Sequence, residues 1–184
     1  MRKLIAAINM TLDGFCDHNA IIPDEELHDH YTALINNGGV ILYGRITYLL
    51  MEYWLEVMKN PTEIKAQDEF AAAFDKIPKI VFSRTLQNVA WENARVATRD
   101  LKEEVSALRQ QPGKDILVGS RSLIISLLNL NLIDEFQLTV HPITAGKGLP
   151  LFENINKGIT LNLVKTKTFA NSGSISLYYE PTKK

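Results

Sequence analysis

Short apolar runs that stop at glycine or serine and pass straight into helical periodicity constrain this chain's fold more than any other feature. Leu4 to Ile8, Val40 to Tyr43 and Ile116 to Val118 read as buried strands, and Lys79 to Phe82 as another. Runs without polar alternation suit strands covered on both faces, as in a parallel sheet flanked by helices. Helices fall between them. Pro23 opens one, with Asp24, Glu25 and Glu26 in the first turn, where carboxylates meet the positive end of the dipole. It runs to about Asn36, where Gly38-Gly39 stop it. One long helical pattern follows Gly44 through Met58, and another runs from about Thr62 to Asp75 behind Pro61. Asp100 caps a helix to Gln110, and a last one spans about Ser120 to Asn129.

Past Asn129 the period changes. Phe136, Leu138 and Val140 alternate with Gln137, Thr139 and His141, the mark of a strand with two unlike faces. Thr160 to Phe169 and Ser174 to Glu180 flank Asn171-Ser172-Gly173, a hairpin turn. Val89 to Trp91 and Ala94 to Ala97 are short strand candidates, and Asn9 to Ile22 reads as a long loop around Asp13-Gly14. Loops of that length often carry function. The expected fold is a single α/β domain over residues 1–184, three-layered, with a mostly parallel sheet and an antiparallel C-terminal edge. A chain of 184 residues with 46% hydrophobic content buries such a core without disulfides.

Several function classes drop out on composition. The net charge is -1, with 20 basic and 21 acidic residues and no basic stripe, so neither nucleic acid nor a membrane surface is the expected partner. Cys16 is the only cysteine, which excludes an internal disulfide and a thiolate metal cluster. The start lacks the apolar core of a signal peptide, and no run of about 18 apolar residues occurs. A cytoplasmic location is expected.

Three strands end alike, in VILYGRIT, IVFSRT and ILVGSRS. The carboxyl ends of strands line the ligand crevice of an open α/β sheet, and a helix starting there offers free N–H groups to an anion. Glycine admits the anion to the backbone, while arginine adds a permanent planar cation suited to phosphate. Glycine is common at any strand end, and serine caps helices without a ligand, but threefold repetition favours a polyphosphate site. Neither G-x-G-x-x-G nor a phosphate-binding G-x-x-x-x-G-K-[ST] occurs; Gly146-Lys147-Gly148 lacks the latter's hydroxyl and first glycine.

Gly44-Arg45-Ile46-Thr47 after a buried strand resembles the G-R-x-T of dihydrofolate reductases. Ser83-Arg84 and Gly119-Ser120 stand where those enzymes have Ser-Arg and Gly-Gly pairs. Thr11-Leu12-Asp13-Gly14 and Pro142 to Phe152, with Gly146-Lys147-Gly148-Leu149-Pro150, are still more similar to the C-terminal reductase domain of the bifunctional riboflavin-biosynthesis deaminase/reductase and its stand-alone bacterial relatives. The resemblance implies a dihydrofolate-reductase-like fold, a homodimer, and hydride transfer from NADPH to a small heterocyclic substrate such as 5-amino-6-(5-phosphoribosylamino)uracil. It places Ala7, Asp13, Gly14, Gly44, Arg45, Thr47, Ser83, Arg84, Gly119, Ser120, Arg121 and Ser122 at the cofactor. Ser83-Arg84, helped by Arg45, would meet the 2′-phosphate. The residues agree, because a ribose diol calls for Asp or Glu and none immediately follows Phe82.

Dihydrofolate reductases carry a carboxylate on the first helix about sixteen residues before the G-R-x-T glycine; here that position is His28. Leu27, Tyr31, Leu34 and Ile35 form that helix's apolar face, Asp24 and His28 flank it, and Asp29 points away. Asp24 and His28 are therefore the candidate catalytic residues, against the plainer reading of a helix cap and a boundary residue. A pteridine or dihydrofolate reductase, or a non-catalytic nucleotide-binding module, are the alternatives.

Overall fold

The computed structural model describes residues 1–182. Its sheet has eight strands: β1 (Leu4–Thr11), β2 (Gly38–Gly44), β3 (Lys79–Phe82), β4 (Ala94–Val96), β5 (Asp115–Val118), β6 (Glu135–His141), β7 (Leu161–Thr168) and β8 (Ile175–Pro181). Their spatial order is β4-β3-β2-β5-β1-β6-β8-β7. The first six pair in parallel; β8 runs antiparallel to β6 and β7. The expected mostly parallel sheet with an antiparallel C-terminal edge is what forms.

Six helices cover it: α1 (Glu25–Asn37), α2 (Arg45–Met51), α3 (Tyr53–Lys59), α4 (Lys65–Lys76), α5 (Leu101–Gln110) and α6 (Arg121–Asn129). On one face Ile35 of α1 and Phe70, Ala73 and Phe74 of α4 pack on Ile5, Ile41, Tyr43, Val81 and Leu117. On the other, Val105 and Leu108 of α5 and Leu123, Ile124, Leu127 and Leu128 of α6 pack on Leu4, Ala6, Leu42, Ile116 and Val118. Alternate residues of one strand thus serve two cores, as buried parallel strands require. Among the described residues no helix is long and apolar enough to cross a membrane.

Local signals hold where caps are visible. The Asp24 carboxylate accepts from the Leu27 N–H at 2.8 Å and that of Asp100 from Glu103 at 2.8 Å, satisfying orphan donors of α1 and α5. Other expectations need correction. The long helix after Gly44 divides at Glu52, which closes α2 and opens α3; the turn sets the Trp54 ring 4.6 Å from that of Phe70. Val89 to Trp91 forms no strand. Side chains hold that segment instead: Ala90 donates its N–H to the Tyr48 hydroxyl at 2.8 Å, and Trp91 packs edge-on against Tyr48 and Phe74. The helix expected from Thr62 starts at Lys65, since Asp68 turns back to accept from Thr62. The supposed loop after Ile8 begins as strand, because β6 pairs with β1 as far as Thr11.

Candidate functional site

The pairing of β1 with β5 ends at Ala6 and Val118, while its pairing with β6 continues to Thr11 and His141. From Ala7 onward, one edge of β1 is therefore open on the β5 side. α1 leaves β1 onto one face and α6 leaves β5 onto the other. Such a switch point between neighbouring parallel strands is where open α/β sheets hold ligands.

The three similar strand ends meet beside it. Gly44 is level with Phe82 on β3, and Leu42 with Val118 on β5, so Gly44, Ser83 and Gly119 share one rim. The Gly44 N–H donates to the buried Ser120 hydroxyl at 2.8 Å, tying the end of β2 to the start of α6. A methyl group on Gly119 would stand 3.4 Å from the Tyr43 ring and 3.6 Å from the Ala7 carbonyl; one on Gly44 would meet the Ser122 hydroxyl at 3.3 Å. Ser83 accepts from the Thr85 and Leu86 N–H groups, which leaves its own proton to donate. Thr47 is half-buried. Arg45 and Arg84 are exposed, and among the described residues neither guanidinium has an ion-pair or hydrogen-bond partner. Arg121 differs: it donates to the Pro150 carbonyl at 2.7 Å and pairs with Glu153.

One wall of this region is a latch made of two distant segments. The N–H groups of Leu12 and Cys16 donate to the Ile143 and Leu149 carbonyls, and that of Leu151 donates to Gly14. The Asp13 carboxylate accepts from the Thr11 hydroxyl at 2.6 Å, Gly146 N–H at 2.7 Å and Ala145 N–H at 3.0 Å. Asp17 accepts from Leu149 N–H at 2.6 Å, and a methyl group on Gly148, whose φ is +140°, would lie 1.9 Å from that carboxylate. Asp13, expected at the cofactor, thus has internal partners that shape the wall, and Gly14, at φ +86°, makes the turn between them. Cys16 is packed here, and burial pushes its thiol up to about 11, so it is no nucleophile at neutral pH.

The Thr11 hydroxyl, then the Gly146 and Ala145 N–H groups, hold the Asp13 carboxyl at about 2, below its ordinary 3.8. A depressed carboxylate stabilises the fold fully above its unfolded value and loses that contribution as pH falls through the folded one. Amide-exchange protection of Ala145 and Gly146 is therefore expected to persist through pH 4 and to fade towards pH 2. Loss centred on the ordinary value would refute the latch.

At the far side, Asp24 and His28 both line a cleft of about 460 Å³ with Pro23, Glu25, Ile64, Gln67 and Asn171. His28 Nδ1 lies 2.8 Å from the Asp24 carbonyl, which can only accept, so Nδ1 carries the proton and Nε2 is left as an acceptor. The His28 ring is wedged edge-on against Trp54 and Phe70, whereas His30 turns to Phe169 and Tyr178. The outer oxygen of Asp24 is buried without a partner. Asp29 is exposed, as its helical position requires. Sequence reasoning passed over Asn9 and His141, which meet at 3.1 Å beneath the open end of β1. The available signal was a lone amide in an otherwise apolar stretch of strand.

The model of the RibD C-terminal domain matches residues 2–173. The chain belongs to that family. The protein YyaP of Bacillus subtilis (strain 168) is 35% identical over 182 residues, covering 97% of this chain and 94% of its own. A pyrimidine reductase-like protein of Corynebacterium diphtheriae superposes with a TM-score of 0.70 at 18% identity, over 100% of this chain and 93% of that one. The diaminohydroxyphosphoribosylaminopyrimidine deaminase/5-amino-6-(5-phosphoribosylamino)uracil reductase of Thermotoga maritima gives 0.66 at 16% identity, over 98% of this chain and 57% of that one. These likenesses show the dihydrofolate-reductase-like fold. In this RibD C-terminal domain, the two segments that carry the sequence resemblance, around Asp13 and around Gly148, prove to be halves of one latch.

Proposed function

We propose that the protein is an NADPH-dependent reductase that delivers hydride to a small heterocyclic substrate of the aminopyrimidine kind, such as 5-amino-6-(5-phosphoribosylamino)uracil. One observation carries the reading: Arg45 and Arg84, both without internal partners among the described residues, stand with Gly44, Ser83 and Gly119 on one rim beside the open edge of β1. A permanent cation and a free hydroxyl proton suit a phosphate dianion. Arg84 and Ser83, with Arg45, would hold the 2′-phosphate. Gly44, Thr47, Ser120, Ser122 and the start of α6 would take the pyrophosphate, and Ala7 would lie at the nicotinamide end. The bound cofactor supplies the hydride. The Asp13 latch with Gly14 and Arg121 walls the crevice from water.

A substrate C=N bond that takes hydride on carbon needs a proton on nitrogen. His28 can gain one at Nε2 from the cleft and pass it on, with the Asp24 carbonyl fixing its ring. A pteridine or dihydrofolate substrate is less well served, because no carboxylate occupies the His28 position.

Fluorescence titration with NADPH and NADH, followed by absorbance assays with pyrimidine and pterin panels, tests the proposal. NADPH bound in preference and consumed with a pyrimidine is the expected result. Cofactor bound but consumed with no ring substrate would make this a binding module, and failure to bind either nicotinamide nucleotide would remove the reading.

A further inference from the structure

Asn9 is the one side-chain amide on β1, two residues beyond Ala7 on the same face of the sheet and past the point where β5 ends. Its Oδ1 is claimed twice. The Tyr31 hydroxyl, from α1, donates to it at 3.1 Å, and His141 Nε2, from β6, approaches it at 3.1 Å. The direction of the second contact follows from the groups behind His141. The Ser172 hydroxyl donates to Ser174 at 3.0 Å, and fully buried Ser174 lies 3.0 Å from His141 Nδ1. With Ser172 donating into it, Ser174 sends its own proton to Nδ1, so Nδ1 accepts and Nε2 carries the hydrogen. Burial pushes the Tyr31 hydroxyl far above its ordinary range and lowers His141, which favours the neutral ring whose Nδ1 accepts from Ser174. The chain of donors runs one way, from Ser172 to Asn9, and fixes which side of the amide faces inward.

The Asn9 NH₂ is what remains. Among the described residues it has no partner, and the residue is only half-buried. A buried network built to hold one amide oxygen from two elements leaves the amide's two N–H groups presented at the open edge of β1. We infer that Asn9 is a specificity-determining residue whose NH₂ donates to a carbonyl oxygen of the substrate, selecting an oxo-pyrimidine over its amino analogue. The inference rests on the pyrimidine-reductase reading above. A site built around a fixed donor discriminates strongly against a ligand that offers another donor there, since the two N–H groups then face one another unpaired.

The test is a swap of preference. Two probes, 5,6-diaminouracil and tetraaminopyrimidine, present carbonyl oxygens and amino groups respectively at the same ring edge. Their binding is measured calorimetrically, with NADPH present, for the wild type and Asn9→Asp. Aspartate keeps both Oδ1 contacts but replaces the donor by an acceptor. The wild type should prefer diaminouracil. Asn9→Asp should weaken it by about tenfold or more and strengthen tetraaminopyrimidine, with NADPH affinity and Tm unmoved. Tyr31→Phe, which removes one anchor, should narrow the wild-type preference without reversing it. Long-range nitrogen NMR should find His141 protonated at Nε2. A probe ratio unchanged by Asn9→Asp, or a His141 proton on Nδ1, overturns the inference while leaving the reductase reading intact. Loss of NADPH binding in the wild type would instead strike the reductase reading.

Discussion

Lys79→Met is expected to lower the unfolding free energy by about 3–5 kcal/mol, the largest effect of any single change considered. Lys79 opens β3 and is only 1% exposed, an extreme position for a lysine. Its ammonium donates to the carbonyls of Phe74 at 2.6 Å, Ile77 at 2.9 Å and Asp75 at 3.2 Å, and to the Asn93 side chain at 3.3 Å. It also stands 4.7 Å from the ring centres of both Phe74 and Trp91. Burial pulls it down to about 8, so it is still charged at neutral pH and completes the last turn of α4, where backbone carbonyls lack partners. Methionine conserves the length and fills the space, but it strands at least two short-bonded carbonyls. Each costs about 1–3 kcal/mol when buried unpaired, partly offset by the thioether's burial. Denaturant unfolding of the two proteins measures the difference; a loss below about 1 kcal/mol would show the carbonyls finding water. The consequence reaches the site, because β3 ends three residues later at Phe82 and leads directly into Ser83-Arg84.

Arg84→Ala is expected to raise the Kd for NADPH about 10- to 150-fold, equivalent to about 1.5–3 kcal/mol, while leaving NADH nearly unchanged. The two nucleotides differ only by the 2′-phosphate, so their ratio isolates the contact. Arg84 is exposed, so solvent and salt screen it, and the lower end of the range applies at physiological ionic strength. The ratio should shrink further as salt is added. Equal losses for the two nucleotides would refute the assignment, and paired titrations at two salt concentrations decide it.

The sequence by itself determined the order and type of nearly every element. A buried parallel strand advertises itself by unbroken apolar residues, and a helix by its cap and period, both readable within a window of a few residues. That is why β2, β3 and β5, the Asp24 and Asp100 caps and the glycine-serine-arginine strand ends were legible. Strand order was a matter for the tertiary structure, since the same local patterns fit more than one arrangement of the strands. Tertiary structure alone decided what the side chains at those ends do. Arg45, Arg84 and Arg121 look alike in sequence, yet among the described residues only Arg121 finds an ion-pair partner, Glu153, 32 residues away. Asp13 meets Gly146 across 133 residues and Asn9 meets His141 across 132. No local pattern encodes such pairs. They form because β1 and β6 are neighbours in the sheet, bringing together loops that neither segment specifies alone, and because a polar group buried there must take whatever partner the packing supplies.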